Sequence, residues 1–386
     1  MAATSTTPAS GTASTPAPAK QRDPWFDNAK MALVLLVVVG HSWTLLPFNA
    51  VTTHLYDFLY AWHVPAFVFV TGYLSRSFAY TRTRMWQLVR TVVVPYVIFE
   101  CAIALFRIYV GGEQLENLFR DPHWPMWYLS ALFFWRLGTP IFKAMPGRVA
   151  VPLAILISLV AGAYAGDTLD LARVSGLLPF FVLGLHATSE NLERLRTQGV
   201  RTAAVLVFLG IAVLTTWTEQ LASTEWLYYR SNYGDLDVSD TRAVITRACL
   251  LLVGFLGAMA FYALVPCVGG WFTKMGAATL VVYLFHGFVV KGLEYSGYMD
   301  WAADHYAIAL VVTTLGAGGL ALLLAWPPVA KVLNHAVDPF AYAEKHVKTA
   351  VALADAPAQA ERIAVAIEVA AEEKAEAEEK RPASAQ

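Results

Sequence analysis

The chain has 386 residues, 57% hydrophobic and only 15% charged, with 28 basic against 29 acidic side chains. Soluble domains carry about a quarter of their residues charged, so this composition, with mean hydropathy +0.50, excludes a soluble globular protein and fits a polytopic membrane protein. The net charge of −1 says nothing about partners, because the signs are segregated along the chain.

Residues 1–19 are rich in Ser, Thr, Pro and Ala, without the basic start or apolar core of a secretory signal. They predict a disordered cytoplasmic tail, set at residues 1–21. Apolar runs then predict about ten spans, near 30–47, 55–74, 87–107, 126–143, 149–165, 174–187, 201–218, 243–264, 272–291 and 306–328. The fold class is therefore all-α, a polytopic membrane bundle. Arginine-rich 75–91 and the later even-numbered loops, with Lys143, Arg148, Arg194, Arg196, Arg201 and Lys274, mark the cytoplasmic side. The odd-numbered loops lean acidic: Glu113, Glu116 and Asp121, then Asp167 and Asp170, then Glu219, Glu225, Asp235, Asp237 and Asp240. Both termini are expected inside. A membrane domain over 22–330 is followed by an Ala/Glu-rich tail, 331–386, helical over 341–381 with a disordered end.

The first span holds the main chemical signal. His41 interrupts an otherwise apolar run, and an ionisable group at membrane depth reads as functional by default. Eleven steps of about 100° return it to nearly the same helix face as Lys30, roughly 16 Å higher. Asp27 lies about 40° away on that face. Two readings of His41 stand: a polar clamp to a neighbouring helix, or a proton acceptor with a pKa near neutrality. Gly40 before it allows close approach of another helix or a ligand. In the second span His63 precedes Pro65, where it can orient a catalytic group or hold backbone freed by the proline. Arg84 and Arg90 stand near the start of the third span. They suit cytoplasmic topology and equally suit forked binding of cofactor phosphates. Trp127 opens the fourth span within Trp127-Tyr128-Leu129, and Tyr283 and His286 share a face of the ninth at i, i+3. These are candidates for acceptor contact or support. The cysteines 101, 249 and 267 are scattered, so neither disulfide nor metal is expected.

Together these stretches resemble the acyltransferase-3 family of integral membrane acyltransferases, in particular its fucose 4-O-acetylase-like branch. Lys30 and His41 match the family's basic residue, ten intervening positions and histidine; Asp27 with Lys30 looks like its Asp-x-x-Lys entry. HVPAFVFVTGYL at 63–74 is similar to the family's His-Met-Pro-Leu-Phe-Phe-x-x-Ser-Gly-Tyr block. Trp127-Tyr128-Leu129, PFFVLG at 179–184 and YLFH at 283–286 follow in family order. One departure stands out: the family's Arg-x-x-Arg reads Gln87-x-x-Arg90 here, with Arg84 as candidate substitute.

The resemblance implies transfer of an acyl group, usually acetyl, from cytosolic acyl-CoA to a hydroxyl of a sugar or glycan in the cell membrane. It implies catalytic roles for His41, Asp27 and His63, with His41 as general base or transient acyl carrier. Lys30, Arg84 and Arg90 are then expected to hold the donor. Expected partners are the acyl-CoA, the glycan acceptor and the bilayer; nucleic acid is not expected, and a homo-oligomer or a tail-bound partner is left open. The competing reading is a transporter exporting a glycan or small metabolite, whose intramembrane charges line a path. The lack of an internal repeat argues against it.

Overall fold

The computed structural model describes residues 23–115, 122–166, 168–236 and 238–379. The expected tail at 1–21, the loop acids Glu116, Asp121, Asp167 and Asp237, and the chain end from 380 lie outside these residues. Among the described residues all regular structure is helical. The first half holds α1 (Pro24–Ser42), α2 (Ala50–Tyr60), α3 (His63–Ser75), α4 (Arg82–Leu88), α5 (Val94–Tyr109), α6 (Trp127–Ala144), α7 (Gly147–Tyr164), α8 (Leu171–Gly176) and α9 (Leu178–His186). Then come α10 (Ser189–Arg194), α11 (Gln198–Leu214), α12 (Thr218–Leu221), α13 (Asp240–Leu264), α14 (Trp271–Met275) and α15 (Thr279–Tyr295). The chain closes with α16 (Tyr298–Asp304), α17 (Tyr306–Ala325), α18 (Pro327–Val337) and α19 (Pro339–Glu379).

Each of the ten expected span positions carries helix. Seven described helices are long and apolar enough to cross a membrane, and α8 with α9, bent by 55°, makes an eighth if the pair is one span. The remaining two, α6 and α15, are 18 and 17 residues long. The architecture is an all-α polytopic membrane bundle.

Three expected spans are broken, and each break has a proline. Pro65 has no N–H to pair with the Ala61 carbonyl, and the second span divides there into α2 and α3. Pro95 follows a π-helical turn over Val89–Val93, which joins α4 to α5. Pro179 follows the bend between α8 and α9. Long apolar stretches do not show where such a span divides, because hydropathy does not register a missing donor.

The α2–α3 segment is 72% buried inside the bundle, against 11% for α11 with its continuation, so the former is central and the latter faces lipid. Helix α3 packs on α9 through two glycines. A Cβ at Gly72 would fall on the Phe181 carbonyl, and one at Gly184 on the Phe69 carbonyl. Close backbone approach of this kind is how helices associate where no hydrophobic force acts between them. Helix α1 is ringed by α3, α14, α15 and α17. The segment expected as a loop after the seventh span folds back inward instead: Trp226, Tyr229 and Tyr233 are buried around Arg247 of α13, which is itself 1% exposed.

Candidate active site

Helix α1 begins where Asp23 accepts the Trp25 N–H at 3.0 Å, with Pro24 in the first turn. Lys30 is ion-paired with Asp27 at 2.8 Å on that first stretch. Eleven residues on, His41 closes the helix, buried to 7% exposure. Gly40 before it is the contact point for α2: a Cβ there would sit 3.1 Å from the Tyr60 ring and 3.2 Å from Leu59.

The partner of His41 is His286, from α15. Nδ1 of His41 is 2.8 Å from Nε2 of His286, while Nδ1 of His286 is 3.1 Å from the Val282 carbonyl. A carbonyl only accepts, so the His286 proton is on Nδ1 and its Nε2 carries a lone pair. His41 must then donate from its own Nδ1. The remaining nitrogen, Nε2 of His41, is left unprotonated and basic. The 245-residue separation of the pair makes this a tertiary device, and its logic is that of a base fixed in one tautomer by a second group.

The same two helices bring a tryptophan to the dyad. Gly287 leaves room for Pro125, whose Cδ would be 2.9 Å from a Cβ there, and the Tyr283 hydroxyl donates to the Pro125 carbonyl. Trp124 is thereby laid against His41, with ring centroids 4.6 Å apart. Next to it, His123 is held by buried Glu100, which accepts its backbone N–H at 2.8 Å and its ring Nδ1 at 2.5 Å.

Two cavities adjoin on the Lys30 side and share Leu74, Thr91 and Arg136. The first, about 330 Å³, is polar and lined by Arg84, Gln87, Arg90 and Arg136 with Ser75 and Ser77. The second, about 230 Å³, runs inward past Lys30, Val70, Thr71, Tyr128 and Leu280 to Tyr283. The Tyr283 ring lies 6.1 Å from that of His286. A third cavity of about 380 Å³ is lined by Arg107, Glu113, Gln114, His123, Trp124, Arg173 and Arg230. The dyad thus stands between the second cavity, through Tyr283, and the third, through Trp124. A larger cleft, about 700 Å³, is lined almost wholly by apolar side chains such as Phe58, Trp62, Phe208 and Phe261 and holds none of this chemistry.

Of the residues expected from sequence, Lys30, Arg84 and Arg90 line the paired cavities, and His41, Tyr283 and His286 gather at their inner end. Asp27 is not brought to His41, whereas His63 stands within electrostatic reach of it with no hydrogen bond between the two. Fourteen residues of helix put Asp27 about 21 Å from it along the axis, where it neutralises Lys30. His63 donates from Nδ1 to the Leu59 carbonyl at 2.7 Å, so it bridges the break between α2 and α3. That carbonyl is not the one Pro65 frees, which is Ala61's. Trp127 packs beside Tyr128 and under the Arg173 guanidinium, 5.1 Å from its ring. Gln87, at the departure from the paired arginines, accepts from Arg84 at 3.1 Å.

Arg90 itself is engaged. It forks onto Asp338 at 2.9 to 3.1 Å and reaches Glu344 at 3.3 Å. Burial works against the Asp338 carboxylate, but Arg90 and the Ala341 N–H more than offset it, and its pKa sits below the ordinary value. The residues that sequence reasoning missed are Arg136 as a cation shared by the paired cavities, Trp124 and the Glu100–His123 pair. Arg136 and Glu100 carried a signal as charges in spans; Trp124, in the loop before the fourth span, carried none.

The chain matches the family described as "Acyltransferase domain", acyltransferase-3, over residues 23–327. It is also similar to nodulation protein NolL of Sinorhizobium fredii (strain NBRC 101917 / NGR234), 25% identical over 304 residues, which cover 71% of this chain and 79% of that protein. No solved structure matches it. With most of its length accounted for in this way, the chain belongs to the acyltransferase-3 family and is an integral membrane acyltransferase.

Proposed function

We propose that this enzyme moves an acyl group, acetyl in the first instance, from acyl-CoA to a hydroxyl of a sugar or glycan, with His41 as general base. The observation that carries the reading is the tautomer of the His41–His286 pair, which leaves Nε2 of His41 unprotonated in a pair whose neighbours Tyr283 and Trp124 line a cation-lined cavity and a polar one. Arg84, Arg90 and Arg136 offer the forked, charge-assisted contacts that phosphates take. The narrower cavity past Lys30 suits the pantetheine arm, whose thioester would arrive at Tyr283.

In the reaction Nε2 of His41 takes the acceptor's hydroxyl proton as its oxygen attacks the thioester carbonyl. The carbon–oxygen bond forms, the carbon–sulfur bond breaks, and the departing thiolate receives the proton back from His41. His286 holds the imidazole and shares its charge while the proton is resident. With basic loops marking the cytoplasm, the donor enters from inside and the acceptor from the other face. Membranes carrying the protein, given acetyl-CoA labelled in the acetyl group, are expected to transfer label to a glycan fraction. Solute efflux without acetyl-CoA consumption would support the transporter reading instead.

A further inference from the structure

The reaction above leaves the Glu100–His123 pair without a role. Glu100, from α5, is fully buried, and an ionised group at that depth is expensive. One of its oxygens accepts both N–H groups of His123, the backbone at 2.8 Å and the ring Nδ1 at 2.5 Å. The other oxygen has no hydrogen-bond partner among the described residues.

Tying the loop to α5 asks only for an acceptor, which a glutamine oxygen supplies without a buried charge. What a carboxylate adds is a stronger pull on the ring N–H. It fixes the His123 proton on Nδ1 and leaves Nε2 with a lone pair. That nitrogen has no hydrogen-bond partner among the described residues, yet it is not sealed off as Nε2 of His63 is. The ring lines the third cavity. We propose that Nε2 of His123 touches the acceptor there, accepting a hydrogen bond from a sugar hydroxyl next to the one acylated, with Glu100 as its positioning residue. This rests on the transferase reading above.

The surroundings suit a hydroxyl-bearing ring. Arg107 and Arg173 line the same cavity but are engaged, Arg107 by Glu113 at 3.0 Å from Nε and Arg173 by Asp170. Trp124 follows His123 in the chain, lines the cavity with it and packs on His41, with ring centroids 4.6 Å apart. An indole offers a flat apolar face for the C–H side of a pyranose. A sugar seated on it can present one hydroxyl to His41 and the next to His123, the two imidazoles that Trp124 adjoins.

The test turns on His123→Asn, whose amide nitrogen takes the place of Nδ1 and keeps the bond to Glu100 while Nε2 is removed. In membranes of matched protein abundance, given acetyl-CoA labelled in the acetyl group, this variant is expected to transfer label at least about tenfold more slowly than wild type, the loss of one strong hydrogen bond to substrate. Its Tm in detergent and its KM for acetyl-CoA are expected to stay at wild-type values, whereas His123→Ala, which also drops the tie to α5, lowers the Tm. Transfer by His123→Asn within about twofold of wild type overturns the inference, and so does a loss confined to a raised KM for acetyl-CoA. Where the variant does not fold, the wild type decides. Diethyl pyrocarbonate attacks an accessible, unprotonated imidazole nitrogen, and peptide mass mapping is expected to find His123 modified and His63 unmodified. An unmodified His123 overturns the inference. A wild type that transfers no label overturns the transferase reading and this inference with it, a result distinct from one seen in the variant alone.

Discussion

The Arg90 guanidinium forks onto the Asp338 carboxylate, joining the start of the third span to the turn between α18 and α19 across 248 residues. Glu344 of α19 approaches the same guanidinium. The C-terminal segment thus occupies a cation on the wall of the cavity proposed for the donor. A phosphate arriving there must displace a carboxylate. Asp338→Asn is predicted to lower the KM for acetyl-CoA by about threefold to fivefold, roughly 1 kcal/mol of relieved competition. Initial-rate measurements on membranes check this; an unchanged or raised KM would show that Arg90 acts as a structural tie.

Arg136 is shared between the two cavities proposed for the donor, and among the described residues its hydrogen bond is a long one to Thr91 at 3.5 Å. Arg136→Gln is expected to raise the acetyl-CoA KM about tenfold, the loss of one charge-assisted contact, with kcat little changed. A fall in kcat alone would place Arg136 in the chemistry rather than in donor binding.

His286 acts through His41, accepting at Nε2 from its Nδ1, so it is a positioning residue. Replacing it by alanine removes the acceptor that fixes the His41 tautomer. The expected result is a loss in kcat of about 10²-fold at nearly constant KM. His286→Gln, whose side-chain oxygen can accept the same proton, should recover part of that loss. Equal activity of the two variants would argue against a tautomer-setting role.

The α3–α9 contact is predicted to be the most sensitive packing site. Gly72→Ala or Gly184→Ala drives a methyl group into a backbone carbonyl of the facing helix, which neither helix can relieve by rotating a side chain. Destabilisation of about 3 kcal/mol or more is expected from overpacking of this severity. A thermal unfolding scan in detergent reads it as a lowered Tm, and a wild-type midpoint would contradict the contact.

The Arg107–Glu113 pair makes a pH prediction. Glu113 has a depressed pKa, so the stability it contributes is complete above the ordinary carboxylate range and is lost only as pH falls through about 2. Between about pH 5 and 9 its titration contributes nothing. Glu113→Gln should therefore scale the pH–rate profile without moving either limb. A shifted limb would mean that the carboxylate titrates during turnover.

The legible parts of the site were those written along one helix. Lys30 and His41 are related by helical period and hydropathy alone, and Tyr283 and His286 by a single turn of α15. What joins those helices is tertiary. Nothing in the sequence pairs His41 with His286, or carries Arg136 to Arg90, because neither partner alters the local pattern of the other. Asp27 shows the converse limit. It shares the helix face of His41, but a helix face extends further than a hydrogen bond, and the nearer Lys30 claims it. The fold was readable to the level of ten helical positions and a bundle. Pro65 and Pro95 were legible as interruptions of the backbone ladder but not as divisions of their spans, and the bend before Pro179 was not drawn, since a span is recognised by its side chains and broken by its backbone.

The most direct measurement compares wild type and His41→Ala in membranes of matched protein abundance, following transfer of labelled acetyl from acetyl-CoA to acceptor. Removal of the base is predicted to reduce transfer by about 10²-fold or more. Transfer by His41→Ala within about twofold of wild type would contradict the assignment of the proton acceptor.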